Sequence, residues 1–200
     1  ALQPTRPSSA RPMALAVSTT LVINEVDYDQ PGTDAAEFIE LKNISGGSIQ
    51  LDTYDLELVN GNGGGAVVYQ TINLPTFSLA NGAFYVVCGD AANVPNCDMD
   101  VTPNTDLIQN GAPDAVGLRN GGTLVDTVSY EGNTGAPYTE GAGTGLVDSA
   151  ANANQGISRC PDATDTDSNN VDFVSDIAIT VGSVNSSCPG TATPTPSATH

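Results

Sequence analysis

The chain has 200 residues, enough for one main domain, and its 23 Asp and Glu against five Lys and Arg give a formal net charge of -18. Such a charge repels phosphate backbones and anionic lipid surfaces, which argues against nucleic-acid binding. Only 14% of residues are charged, whereas 21 are Gly and 13 are Pro, a composition typical of a turn-rich all-β protein. No run of about eighteen apolar residues is present, so we expect no membrane span.

The N-terminal arm, residues 1–19, precedes the first predicted strand of the domain. It starts with Ala and has no basic-then-apolar leader, so we expect a secreted chain whose signal peptide has been removed. Met13, Leu15 and Val17 alternate along it and share one face. This apolar face predicts self-association, in which the arm adds as a β-strand to the sheet edge of a neighbouring copy. The alternative is a lengthened first strand that stays on its own domain.

Short stretches of alternating apolar and polar residues recur along the rest of the chain, separated by Gly, Asn, Pro and Asp clusters. About seven to nine of them are typical of the strands of a β-sandwich. The turns NGNGGG at 60–65 and RNGGT at 119–123 predict tight hairpins, because Gly and Asn tolerate positive φ. Residues 90–105 and 131–155 lack the alternation and predict long surface loops.

The stretch NEVDYDQPGTDAAEFIELKN places six carboxylates around one Pro-Gly turn. Strict alternation divides them between the two faces of the strands, which separates potential catalytic pairs. Three interpretations remain open: Glu25 and Glu37 are strand-edge groups satisfied by hydrogen bonds, Asp27, Asp29 and Asp34 bind Ca²⁺, or the group acts in acid-base catalysis. An inward-facing Glu37 would need a partner such as a backbone amide, a lysine or a cation.

A second acidic segment is the stronger candidate for a calcium site. Oxygen donors occur there at near-alternate spacing in a loop, as hard cations require: Asp162, Asp165, Asp167, Asn169 and Asp172. The loop lacks the central Gly and final Glu of an EF-hand. The alternative is a series of Asx turns, in which the side chains accept hydrogen bonds from their own backbone.

Four cysteines allow three disulfide pairings, and their spacing does not match a zinc knuckle. The pairing that is local in the loops joins Cys88 to Cys97 and Cys160 to Cys188. Two disulfides predict an oxidising, extracellular location.

The residues give little support for an enzyme. The one histidine is His200, near the Pro/Thr-rich end, which excludes a His-based triad from the folded domain, and the chain has no Trp to line a sugar cleft. We therefore predict no catalytic residues and no cofactor besides Ca²⁺. Asn43 in NIS and Asn185 in NSS match the N-glycosylation pattern.

Four stretches together resemble the bacterial lamin-tail domain, an immunoglobulin-like β-sandwich of secreted and cell-surface proteins: AEFIELKN, IQLDTYDLEL, LANGAFYVVCG and GISRCPDATDTDSNNVDF. The resemblance covers roughly residues 20–182. It implies a non-catalytic module of a kind often joined to nucleases, phosphatases or other secreted enzymes. Ala163 stands where the family usually has Gly, and GSVNSSCPG replaces the usual Thr-Pro-Gly ending.

We thus expect an arm at 1–19, an immunoglobulin-like sandwich at 20–189 and a Pro/Thr-rich tail at 190–200. The expected function is that of an extracellular structural protein whose copies assemble into a filament or a surface layer. The alternative is a binding or spacer module of a larger secreted enzyme or adhesin. Copies of the chain are the first expected partners, and other cell-surface proteins or glycans are further candidates.

Overall fold

Twelve β-strands form three sheets in this computed structural model, which describes residues 17–63 and 65–189. The larger sheet has the spatial order β12 (Phe173–Ala178), β11 (Gln155–Arg159), β1 (Leu21–Asp27), β2 (Phe38–Asn43), β7 (Phe84–Cys88), β8 (Met99–Asp100). The second has the order β10 (Thr123–Tyr130), β9 (Asp114–Asn120), β4 (Tyr54–Asn60), β5 (Val67–Asn73). The short strands β3 (Ile49–Gln50) and β6 (Ser78–Leu79) pair separately.

Helical structure in the described residues is limited to a 3-10 turn at Leu51–Thr53 and a four-residue helix, α1, at Asn169–Asp172. All strand pairs are antiparallel except β7 with β8. Nine strands have five or more residues, which confirms the predicted all-β sandwich of seven to nine strands with long loops.

The core lies between the inner faces of the two larger sheets. Both sheets contribute fully buried aliphatic side chains to it: Leu21, Ile23, Ile39 and Leu41 from one, and Leu56, Leu58, Val116 and Leu118 from the other. Burial of these side chains is the main force that holds the sheets together. In β2, Phe38 belongs to a separate outer cluster, as the predicted alternation requires.

The strict alternation predicted for β1 is wrong. The pairing register with β2 shifts between Ile23 and Glu25, so Asn24 forms a β-bulge. The extra residue returns Val26 and Tyr28 to the core side, where they join Leu21 and Ile23. The bulge also directs Asn24 and Glu25 toward the loops that cover the sheet.

The tight hairpin predicted at 119–123 is confirmed, because only Gly121 and Gly122 connect β9 to β10, with φ of 54° and 82°. β4 and β5 also pair as antiparallel neighbours, but their connection spans residues 61–66 and is longer than the tight turn predicted at 60–65. The predicted loop at 90–105 contains the two-residue strand β8. No helix in the described ranges is long and apolar enough to cross a membrane.

The chain enters β1 through a bend. Val17 and Ser18 have no regular structure, Thr19 and Thr20 form the bend, and the strand begins at Leu21. Residues 17–20 are therefore not part of β1, but most of the arm lies outside the described residues, so the alternative in which it folds back on its own domain as a lengthened first strand stays a prediction. Met13 and Leu15 lie outside the described residues.

Candidate functional site

Buried polar side chains around the bulge in β1 bind two loops, the one after β11 and the one after β12. The Asn24 amide donates to Glu40 Oε1 at 2.8 Å and to Asp162 Oδ1 at 3.1 Å, and its oxygen accepts from the Ala163 N–H at 2.9 Å. The second Glu40 oxygen accepts from the Gly182 N–H at 2.7 Å. Burial raises the pKa of Glu40 to about 8. These side chains fix loops to the outer face of the sheet.

Glu25 performs a similar role next to the bulge. It is fully buried and accepts from Ser158 Oγ at 2.5 Å and from the Thr180 N–H at 2.9 Å. Burial raises its pKa. The hydrogen-bonded interpretation is supported by these contacts, but the predicted position at a strand edge is wrong, because β1 lies between β11 and β2.

Glu37 holds the loop that follows β8. Its two oxygens accept from the backbone N–H groups of Leu107 at 2.6 Å and Ile108 at 3.0 Å. The expected backbone-amide partner is therefore present. Burial outweighs these bonds and raises the pKa of Glu37 to about 8.

Asp27 and Asp148 form a buried carboxyl pair that joins β1 to the loop at 131–155. One Asp27 oxygen accepts from Gln30 Nε2 at 2.5 Å, and one Asp148 oxygen accepts from the Tyr28 N–H at 2.7 Å. The remaining oxygen of each has no other partner. A proton shared between them would satisfy both oxygens, and burial next to a second carboxyl group raises the pKa of Asp27.

The first set of predicted calcium ligands does not converge on one point. Asp27 faces Asp148, and Asp34 accepts from the Gln30 N–H at 2.9 Å and from Asn110 Nδ2 at 3.2 Å. Asp29 is partly exposed. Ca²⁺ binding by this set stays a prediction.

The guanidinium of Arg159 lies among the oxygens of the second acidic segment. It is fully buried, and its guanidinium lies 4.5 Å from the centre of the Phe173 ring. Its donors reach five oxygens: Ile23 O at 2.7 Å, Asp126 Oδ1 at 2.7 Å, Thr164 O at 3.0 Å, Asp172 Oδ2 at 3.2 Å and Asp165 Oδ1 at 3.5 Å. A planar guanidinium suits this number of acceptors better than an ammonium group.

Four of the five predicted ligands of the second segment already bind protein groups through their side chains, and Asp167 Oδ1 is buried without a hydrogen-bond partner. Asp162 pairs with Lys42, and Asp165 and Asp172 pair with Arg159. Asn169 donates to Thr127 O at 2.7 Å and lies in α1. The Asp167 N–H donates to Asp165 Oδ1 at 3.1 Å, a hydrogen bond of the Asx-turn type.

One group of three carboxylates does come together within the described residues. Oxygens of Asp126, Glu140 and Asp165 lie within 4.8 Å of one another, and only Asp165 was predicted. Burial and the neighbouring Asp126 raise the pKa of Glu140. Three oxygens at this spacing are a partial ligand set for a hard cation, but Arg159 already places a positive charge beside Asp126 and Asp165. A calcium role for this region stays a prediction.

Both predicted disulfides are present. Cys88 and Cys97 are joined with Cα atoms 5.9 Å apart, and Cys160 and Cys188 with Cα atoms 5.4 Å apart. The second bond ties the start of the acidic segment to the last described turn.

The two glycosylation patterns lie on buried side chains. Asn43 Nδ2 donates to Gly47 O and Leu79 O, and Asn185 Nδ2 donates to Asn24 O and Arg159 O. A glycan on either nitrogen would break these bonds, so the geometry counts against modification of the folded chain. Glycosylation stays a prediction that intact mass can test.

Sequence reasoning missed four residues of this polar network: Arg159, Asp126, Glu140 and Asp148. For Arg159 a signal exists, since a single Arg in GISRCPDATDTD precedes a run of acidic residues in a chain with five basic ones. The three carboxylates come from distant strands and loops, and no local pattern marks them.

The sequence model of the lamin tail domain matches residues 15–132, more than half of the chain. Domains of this family have an immunoglobulin-like β-fold and are in general non-catalytic. Comparison with functionally curated proteins gives no match. Strand β11 follows the matched segment, yet it pairs with β1 and completes the same sheet. The chain belongs to the lamin tail domain family.

Proposed function

We propose that this chain is a non-catalytic, extracellular structural subunit that assembles with copies of itself through its N-terminal arm. Met13, Leu15 and Val17 would form the apolar face of a strand added to a neighbouring copy. One observation carries the proposal: the chain leaves the sheet at Leu21 through a bend, and Val17 is 45% exposed. The arm precedes this bend and carries alternating apolar residues, so it is suited to pair with the sheet of another copy.

The use of the buried carboxylates supports a structural role. Glu25, Glu37 and Glu40 are at most 1% exposed and accept hydrogen bonds from loops. An acid-base catalyst needs contact with substrate, whereas these groups lie inside the fold. Through these hydrogen bonds the three side chains hold loops against the β-sandwich.

The extracellular location is supported by the two disulfides, because such bonds persist in oxidising compartments. Outside the cell, other surface proteins or glycans are further candidate partners for the same module.

The test is to compare the full chain with a variant that lacks residues 1–16, which leaves the described part intact. We expect the full chain to form concentration-dependent oligomers in sedimentation velocity and filaments or sheets in electron microscopy, and the shortened chain to stay monomeric. Equal assembly of both would contradict a role for the arm. A monomeric full chain would instead favour the binding or spacer function.

A further inference from the structure

The sheet edge formed by β10 is closed by side chains. The Thr127 N–H donates to Glu140 Oε1 at 3.2 Å, and the Ser129 N–H donates to Asn169 Oδ1 at 3.0 Å. These amides point away from β9 and would otherwise be free to pair with an added strand.

The edge formed by β12 is flanked by the loop at 131–155. The Val147 N–H donates to Ser175 Oγ at 2.8 Å, and the Ser149 N–H donates to Asp176 Oδ1 at 3.0 Å. The loop therefore lies along this edge.

The edge formed by β5 is open. The Leu74 N–H donates to Tyr54 O on β4. Since the direction of the backbone hydrogen bonds alternates along a strand, those of Ile72 also face β4, whereas the backbone groups of Thr71 and Asn73 point outward. Within residues 17–63 and 65–189, neither outward N–H has an acceptor. Both residues are exposed.

An open groove of about 400 Å³ runs between this edge and β8. The lining of the groove is mixed: Met99 and Val101 are half-buried apolar side chains, Ile72 beside them is buried, and the other lining residues are polar. Within the groove, Gln70 Nε2 donates to Thr102 O at 3.0 Å. Asp100 on its rim is exposed. The groove thus combines outward backbone groups, apolar surface and negative charge, which are the features that bind an added strand.

The charges of the chain are divided between body and arm. All 23 Asp and Glu lie between Glu25 and Asp176, and the three basic side chains in that part each form an ion pair. The other two basic residues, Arg6 and Arg11, are in the arm. The arm is therefore cationic and the surface it would meet is strongly anionic, which favours association.

The arm leaves the domain on the side away from the groove. The Ser18 N–H donates to Asp165 Oδ2, and Asp165 pairs with Arg159 on β11. From β11 to β8 there are four strand spacings, about 19 Å. Val17 adjoins Ser18, so it cannot occupy the groove of its own domain, but it can meet the groove of a second copy placed head to tail.

We propose that the groove between β5 and β8 accepts residues 11–17 of a second copy as an added strand. This inference rests on the proposed function and names its acceptor site. The arm pairs with the outward groups of Thr71 and Asn73, its apolar face covers the half-buried Met99 and Val101, and Arg11 lies toward Asp100. Repetition of a head-to-tail contact produces an open chain of subunits rather than a closed dimer.

The test uses Thr71→Pro, which removes an outward N–H without breaking a bond to β4, with Thr71→Ala as the matched control. We expect T71P to be monomeric in sedimentation velocity and T71A to assemble like the full chain. Mixing T71P, which keeps the arm, with the chain lacking residues 1–16, which keeps the groove, should give a one-to-one dimer. Assembly of T71P at the level of T71A would overturn the acceptor site, and so would a mixture that stays monomeric.

A charge-reversal variant tests the same site without a backbone change. Asp100→Lys should weaken assembly roughly 3- to 10-fold, and Asp52→Lys, an exposed acidic position outside the groove, should change it less than twofold. Equal effects of both would overturn the acceptor site. If the full chain is itself monomeric, both the proposed function and this inference are overturned. If the full chain assembles but the groove variants assemble equally well, only the acceptor site is overturned.

Discussion

Arg159 Nη2 lies 2.7 Å from Asp126 Oδ1, and both side chains are fully buried. The pair connects β11 to β10, strands of the two facing sheets, while Arg159 Nε donates to Ile23 O on β1. A buried ion pair costs desolvation energy, which is offset here by further hydrogen bonds to the guanidinium. The pair therefore fixes how the acidic segment docks onto the sandwich.

Arg159→Met should lower the free energy of unfolding by about 3–5 kcal/mol, because it leaves Asp126 and its neighbours buried without a positive charge. Urea denaturation measures the change. The matched control is Arg119→Met, which removes a partly exposed pair with Glu57 and should cost about 1 kcal/mol or less. Equal losses in the two variants would contradict a special role for Arg159.

Stability should fall as pH rises from about 5 to 8. Burial raises the pKa values of Glu37 and Glu40 to about 8, and burial together with the neighbouring Asp148 raises that of Asp27 to about 9. In the unfolded chain these groups lose their protons near pH 4, so the native state binds more protons across this range. The stabilisation is therefore complete in acid and is lost as pH passes through the folded pKa values. The midpoint of urea denaturation, measured at several pH values in the presence of EDTA, reports this loss of stability.

Asp27→Asn isolates the contribution of the carboxyl pair. The amide nitrogen can donate to Asp148 without a shared proton, while the amide oxygen keeps the bond from Gln30. We expect a gain of roughly 1–3 kcal/mol at pH 8 and little change at pH 5. Asp52→Asn, at an exposed position, should have no such pH dependence. A D27N chain less stable than the parent at pH 8 would show that no proton is shared.

Calcium that binds only the native state should raise the melting temperature above that in EDTA. At a Ca²⁺ concentration 100 times the dissociation constant, the free energy of unfolding should increase by about 2.7 kcal/mol. Two variants distinguish the possible ligand sets. Asp167→Asn should remove the shift if the predicted loop binds, and Glu140→Gln if the three converging carboxylates bind. Identical melting curves in Ca²⁺ and EDTA would end the calcium prediction.

Local patterns predicted the strands, the Gly-rich hairpin at 119–123 and the disulfides, because each depends on residues close in sequence. The bulge at Asn24 was missed, since it depends on pairing with β2 rather than on propensity. The polar network was missed for the same reason: Asp126 reaches Ile23 across 103 residues, and Asp148 reaches Tyr28 across 120. Carboxylates that seemed suited to metal binding are used as acceptors for distant loops.

Ala163→Gly should stabilise the protein. Ala163 has φ of 59°, in the left-handed region, and its N–H donates to Asn24 Oδ1. Relief of about 1–2 kcal/mol of strain exceeds the roughly 0.5–1 kcal/mol that Gly costs in backbone entropy, so we expect a net gain of about 0.5–1 kcal/mol. This corresponds to a rise of about 1–4 °C in Tm for a domain of this size. Ala92→Gly is the matched control, because its N–H also donates to a carboxylate, Asp90, but its φ is not positive, so it should lose stability. If A163G melts no higher than the parent chain, the left-handed backbone at this position is not a source of strain, and the Gly typical of the family needs another explanation.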